Sequence, residues 1–307
     1  MSIAFQEIEK ITKELGFTAV GYASAAQLTD ETERYMQALE SGHFASLEYL
    51  KRNLEKRFNP QLLVEGARSV LVFLAPYGQQ RTSEFVEITQ APDNSHPLPD
   101  SYKVAQYALG EDYHTVIRGK LNTILQRMKE LDPQISGRAF VDTAPVLERA
   151  WAVRAGLGFI GKNNFFISRK HGIRNFIGII ISSYAIDEIE TKKEEECRGD
   201  KMNLWGREEE IGKKFCGSCT KCIESCPTGA LCAPYTLDAR KCTSYLTIED
   251  KGSSLALNME NGAERDGWIF GCDACMNDCP WNSRIDKGWE EFNQKEEPLP
   301  ASHLRRR

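Results

Sequence analysis

Cys216-Gly-Ser-Cys219-Thr-Lys-Cys222-Ile-Glu-Ser-Cys226-Pro227 sets four cysteines at the spacing C-x2-C-x2-C-x3-C-P. Three thiolates this close together take three corners of one iron–sulfur cubane, and the turn before the proline directs the fourth toward a second cluster. Downstream, Cys272-Asp-Ala-Cys275-Met-Asn-Asp-Cys279-Pro280 repeats the last three members of the pattern. The missing first member has to come from elsewhere, and Cys242 is the available candidate. The count then closes on two [4Fe–4S] clusters. Cys216, Cys219, Cys222 and Cys279 serve one; Cys226, Cys242, Cys272 and Cys275 serve the other. Zinc ribbons also use C-x2-C pairs, but zinc sites seldom carry three cysteines at this spacing followed by Cys-Pro, still less twice. The stretch therefore reads as a ferredoxin-like module, with Cys197 and Cys232 left over as ordinary thiols.

Outward from this module the cysteines stop. All ten in the 307-residue chain lie between Cys197 and Cys279. The opening stretch MSIAFQEIEKITKEL puts Ile8, Ile11 and Leu15 on one face of a short helix and has none of the features of a signal peptide. No apolar run approaches the length of a membrane span, so a cytoplasmic protein with no membrane partner is expected. In a reducing compartment such cysteines are metal ligands rather than disulfides. A formal net charge of −5 argues against wholesale charge-driven binding of nucleic acid and leaves room for a local basic patch.

Upstream, helical and strand patterns alternate. Strands are expected over residues 18–23, 69–74, into Val141, and over 165–167 and 177–183. Helices are expected over 31–41, 113–131 and 146–155. The helix over 113–131 is the clearest, with Val116, Ile117, Leu121, Ile124, Leu125, Met128 and Leu131 at helical spacing. Residues 79–101, polar and broken by Pro92, Pro97 and Pro99, read as a long loop. The pattern predicts an α/β (α+β) sandwich. The division expected is a catalytic domain over 1–186, a charged linker over 187–214, the cysteine module over 215–283 and a tail over 284–307.

Two motifs in the first part bear on chemistry. Phe140-Val-Asp142-Thr-Ala-Pro145 places an acid at the end of a strand, a common active-site position, although Asp142 could equally cap the helix that follows. Gly156-Leu-Gly158-Phe-Ile-Gly161-Lys162-Asn163 matches G-x-G-x-x-G but follows a helix and lacks an acid at the right interval, which rejects dinucleotide binding. Its glycines instead let backbone approach a large flat cofactor or another chain segment closely. In Gly110-Glu-Asp112-Tyr113-His114, Asp112 reads as an N-cap.

Together these stretches resemble the epoxyqueuosine reductase (QueG) family, cobalamin-dependent iron–sulfur enzymes that complete the tRNA modification queuosine. The resemblance rests on LGFTAVGYA (15–23), LEYL (47–50), RFNP (57–60), GARSVLVFLAPY (66–77), YALGEDYH (107–114), VDTAPVLERAWAVRAGLGFIGKNN (141–164), LDARKCTSYLTIE (237–249) and both cysteine motifs. It implies a nitroreductase-like, corrin-binding domain ahead of the double-cluster module. It also implies cobalamin as a cofactor and Asp142 as the proton donor when the epoxide oxygen leaves as water. Such an acid must be protonated near neutral pH, which requires burial against an apolar corrin face. His114, Gly156, Gly158, Gly161, Lys162 and Asn163 are the candidate cofactor contacts. The implied partners are a tRNA anticodon loop, with Tyr77, Tyr107 and Tyr113 as stacking candidates, and an electron-donor protein of flavodoxin or ferredoxin type. The sequence departs from the family at Gly172-Ile-Arg174-Asn-Phe176, where a GSW- or GSF-like turn is usual, and at Leu109 and Glu111, which replace basic residues. The alternatives are a related corrinoid reductase acting on a small molecule, and a two-cluster electron carrier without catalysis.

Overall fold

The computed structural model describes residues 3–78, 85–86, 88–89, 102–185, 215–252, 254, 257–258, 261, 263–284, 287–294, 299–300 and 304. The chain opens with α1 (Phe5–Glu14), β1 (Ala19–Ser24), α2 (Asp30–Glu40), α3 (Glu48–Lys51), α4 (Leu54–Phe58) and β2 (Ser69–Pro76). Next come β3 (Phe85–Val86), β4 (Ile88–Thr89), β5 (Tyr102–Val104), α5 (Tyr113–Leu131), β6 (Gly137–Phe140) and α6 (Glu148–Arg154). A hairpin of β7 (Gly158–Ile160) and β8 (Phe166–Ser168) leads to β9 (Asn175–Ser182). Beyond it lie β10 (Leu231–Ala233), β11 (Thr236–Leu237), β12 (Trp268–Phe270) and β13 (Leu299–Pro300).

β2 is buried at every position, as an apolar run without alternation predicts for a strand covered on both faces. The sheet runs β1-β2-β9-β6 with every pair antiparallel. Leu71, Phe73 and Ala75 of β2 join Ile8, Ile11, Ile117, Leu121 and Ile124 of α1 and α5 in one core. Val70, Val72 and Leu74 join Trp151, Ala152 and Val153 of α6 in another. Period-two alternation in one strand thus builds two cores, and each fully buried Leu or Ile contributes roughly 1.5–3 kcal/mol. The expected sandwich is present, and its antiparallel sheet makes it α+β. α5 begins where expected because the Asp112 side chain accepts a hydrogen bond from the His114 backbone N–H. It ends at Leu131 because Asp132, ahead of Pro133, adopts an extended conformation.

Three expectations are corrected. Within the stretch read as a long loop, β3 pairs with β5 and β4 pairs with β13. The segment after Gly156 holds a strand, β7, which was not foreseen. The segment read as a tail is in part packed: Trp289, Phe292 and Leu304 are buried. The Trp289 indole N–H donates to the Gly16 carbonyl at 2.7 Å, and the Lys120 ammonium sits 3.7 Å over its ring. Gly110 has to be glycine, since a Cβ there would lie 2.3 Å from the Phe292 backbone. The charged segment 187–214 lies outside the described residues. Among those described, no helix is long and apolar enough to cross a membrane.

Candidate active site

β6 delivers the chain to Asp142, which adopts φ +49°, a left-handed conformation unusual for a residue other than glycine. Its backbone N–H donates to Glu148 Oε1 at 3.0 Å, so the loop folds back on the first residue of α6. Asp142 is not the cap of that helix, whose N-cap is Leu147 with no side-chain bond. The Tyr113 hydroxyl donates to Asp142 Oδ2 at 2.6 Å, and His114 Nε2 lies 3.9 Å from the same oxygen. His114 Nδ1 lies 2.8 Å from Asp112 Oδ1, which fixes the ring. Behind the acid stands a wall of stacked rings: His114 on Tyr113 at 4.0 Å, Tyr113 on Phe176 at 4.3 Å, and Phe176 on Tyr77 at 4.3 Å. The first turn of α5, the start of β9 and the residue after β2 supply this wall, so the sheet layer positions both acid and rings.

The Asp142 side chain is 66% exposed, so the burial expected of it is not present in the protein alone. The carboxyl that burial does affect is that of Glu148, pushed up to about 8 by desolvation and then by the Asp142 charge. Burial, followed by the charge of Asp142, raises the Tyr113 hydroxyl far above its ordinary range, so it remains a proton donor. Tyr49 is pushed up to about 12 by burial of its hydroxyl end, then by Glu249 and Asp142, although the residue as a whole is 53% exposed. Tyr107, also raised chiefly by burial, senses Asp273, Tyr77, Asp142 and Glu249. Tyr49, Glu148 and Glu249 were overlooked as site residues, yet each lies in a quoted stretch: LEYL, VDTAPVLER and SYLTIE.

The electrostatic neighbours of the motif cysteines run mainly within the two fours expected from their spacing, with Cys275 also sensing Cys222 across them. Burial pushes Cys222 up to about 11, helped by Cys216, Cys279 and Cys219. Cys272 rises to about 12 by burial and also senses Cys242 and Cys226, while Cys275 senses Cys272 and Cys242. Among the described residues no three His, Cys, Asp or Glu side chains converge on one metal-ion position. Two sets of four cysteine donors suit two [4Fe–4S] clusters, which bind the thiolate form. Cys232 is exposed and outside both sets; Cys197 lies outside the described residues.

The other candidate contacts meet protein. Gly156, at φ +75°, closes α6. A Cβ on Gly158 would lie 2.1 Å from the Ile167 carbonyl, and one on Gly161 would lie 2.6 Å from the Ile167 side chain, so these glycines serve the hairpin. Lys162 Nζ donates to the carbonyls of Gly217 at 2.7 Å and Cys219 at 2.9 Å, and Asn163 Nδ2 donates to that of Cys275 at 3.1 Å. Arg174, 2% exposed, donates from Nη1 to Asp273 Oδ2 at 3.1 Å and from Nε to Asn282 Oδ1 at 3.1 Å, and it also bonds Asn277. Asp273 Oδ2 accepts from the Gln106 backbone N–H at 2.9 Å as well. The cysteine turns are thus held against the sheet layer by side chains from β7–β9 and the loops between them.

An acid at the edge of the sheet layer, which is bonded to a two-cluster module, defines an iron–sulfur oxidoreductase. Residues 215–282 match the family described as "4Fe-4S double cluster binding domain", and residues 57–143 match "Epoxyqueuosine reductase QueG, DUF1730". An epoxyqueuosine reductase of Leadbetterella byssophila is 36% identical over 278 residues, covering 91% of this chain and 80% of that protein. The chain belongs to the epoxyqueuosine reductase family. Its fold matches a crystal structure of selenomethionine-labelled epoxyqueuosine reductase with a TM-score of 0.71 and 26% identity, covering 95% of this chain and 69% of that one. It also matches, at a TM-score of 0.70 and 24% identity, an epoxyqueuosine reductase crystallised with an epoxyqueuosine-modified tRNA-Tyr stem loop, covering 95% of this chain and 68% of that one.

Proposed function

We propose that this chain reduces epoxyqueuosine to queuosine in tRNA, taking up two electrons and two protons as the epoxide oxygen leaves as water and an alkene remains. The observation that carries the reading is Asp142, held by the Tyr113 hydroxyl at the open edge of a stacked-ring wall and joined through that layer to eight cluster-type thiols. The two clusters are held by Cys216, Cys219, Cys222 and Cys279, and by Cys226, Cys242, Cys272 and Cys275. Cobalamin fits as the second cofactor, because flat rings with a carboxyl at their edge suit a flat macrocycle beside a proton donor. When bound, cobalamin would supply a strongly reducing cobalt centre, and the clusters would supply single electrons from a flavodoxin- or ferredoxin-type donor.

The protein's own residues then position and protonate. Tyr113 fixes one carboxylate oxygen of Asp142, and Glu148 fixes its backbone, leaving the acid directed at the incoming base. Substrate and cofactor together would exclude water from Asp142, the setting in which a general acid works. His114 stacks on Tyr113 and keeps its ring in register. Tyr77 is buried beneath Phe176, whereas the exposed ring of Tyr49 is open to a flipped-out base. Residues 1–186 would form the corrin-binding domain, acting in the cytoplasm on an anticodon loop.

The test is Asp142→Asn assayed on a stem loop carrying epoxyqueuosine. Turnover is expected to fall about 10²–10⁴-fold, with cluster EPR and cobalamin titration unchanged. Full turnover in this variant would remove Asp142 from the reaction.

A further inference from the structure

Arg174 belongs to a segment whose sequence departs from the family pattern, and the reaction described above leaves it without a role. It is one of the largest fully buried side chains in the protein. Its guanidinium takes all three of these partners from the cysteine module: Asp273, between cluster ligands Cys272 and Cys275; Asn277, between Cys275 and Cys279; and Asn282, just past Cys279. A buried ion pair is a weak contributor to net stability, because desolvation offsets the attraction. What it does set is the local field, since a buried charge is poorly screened. Asp273 is 2% exposed, and the Tyr77 hydroxyl lies within electrostatic reach of Asp273, Arg174 and Cys275 together.

We propose that Arg174 sets the reduction potential of the cluster held by Cys226, Cys242, Cys272 and Cys275, by neutralising the Asp273 carboxylate buried between two of its ligands. Reduction adds one electron to the cluster, so a bare carboxylate beside it disfavours the reduced state and a guanidinium favours it. With the pair intact the two nearly cancel, and the cluster stays reducible by a donor of moderate potential. Arg174 is a positioning residue for the field and for the turn, and touches no substrate. The inference needs only the two clusters and is independent of what the enzyme reduces.

The experiment is an EPR-monitored redox titration of the full-length reconstituted protein without substrate, for wild type, Asp273→Asn, Arg174→Gln and the double variant. Asp273→Asn, which leaves the guanidinium uncompensated, is expected to raise the midpoint potential of one cluster and leave the other in place. Arg174→Gln is expected to lower the same potential, and the double variant to return toward wild type. Should Arg174→Gln fail to hold its clusters, Asp273→Asn alone decides: a rise supports the assignment and an unchanged potential overturns it. Equal shifts at both clusters, or unchanged potentials in variants with intact EPR signals, also overturn it and leave Arg174 as a packing residue. Because no tRNA enters the measurement, these outcomes stay separate from those of the Asp142 assay.

Discussion

The sheet layer and the cysteine module are held together in different ways. In the layer, β2 is buried at all eight positions and divides its side chains between two apolar cores. Among the described residues between 215 and 282 the regular elements run to no more than five residues, and most of the motif thiols are half-buried. Burial lifts those thiols above their ordinary range, so each ligand must give up its proton when a cluster binds. The layer is held by its apolar cores and the module has ligation to add, and the joints between them combine polar bonds from Lys162, Asn163 and Arg174 with apolar packing of Phe215, Met276 and Trp281 on the layer's core.

The largest expected effect tests that contrast directly. Anaerobic removal of iron by a chelator withdraws a term on the order of 10 kcal/mol, by analogy with structural metal sites. Hydrogen exchange over 215–282 should then accelerate many-fold while β2 and α5 keep their protection. A module that stays protected without iron would break the comparison.

A smaller effect comes from Trp289→Ala. Trp289 packs on Phe17 and Phe292 and covers Gly16, so its loss should cost about 3–5 kcal/mol. Thermal melting should report this as a lower Tm with iron content per chain unchanged. Loss of iron in parallel would show that the two regions are less separate than their contacts indicate.

The smallest effect is a pH slope. Burial, followed by the charge of Asp142, pushes Glu148 from the ordinary carboxylate value of 4.5 in the unfolded chain up to about 8 in the folded one. The folded state therefore holds the extra proton between those values, and stability falls as pH rises from about 5 to about 8. Glu148→Gln should flatten this part of the Tm-versus-pH curve, and an identical slope in the variant would show that Glu148 does not titrate in this range. The cysteine pairs lie elsewhere and should not contribute to the difference.

Local signals were legible in the sequence and long-range ones were not. Cluster ligation is written in spacings of two and three residues, so the double-cluster module was legible by counting. α5 was legible to both ends because an Asp N-cap and a pre-proline stop flank a long apolar stripe. β7 escaped notice because three residues beginning at Gly158 carry no period, and its identity comes from pairing with β8. Trp289 and Phe292 stand as isolated aromatics in a charged stretch, and only tertiary contact reveals the surface they cover. Asp142 was found by its place after a strand. The partner that fixes its backbone, Glu148, sat six residues away in the same motif and became visible only through the fold-back of the loop.

The hydrogen bond from Trp289 to Gly16 joins residues 273 positions apart. At a synthesis rate of about 5–20 residues per second, the pocket around Phe17 and Phe73 waits roughly 14–55 s for its cover. Through that interval the nascent chain presents an uncovered aromatic pocket, and the cysteine turns emerge before it closes. Trp289 and Phe292, made after every cysteine of both motifs, are then the residues that close it.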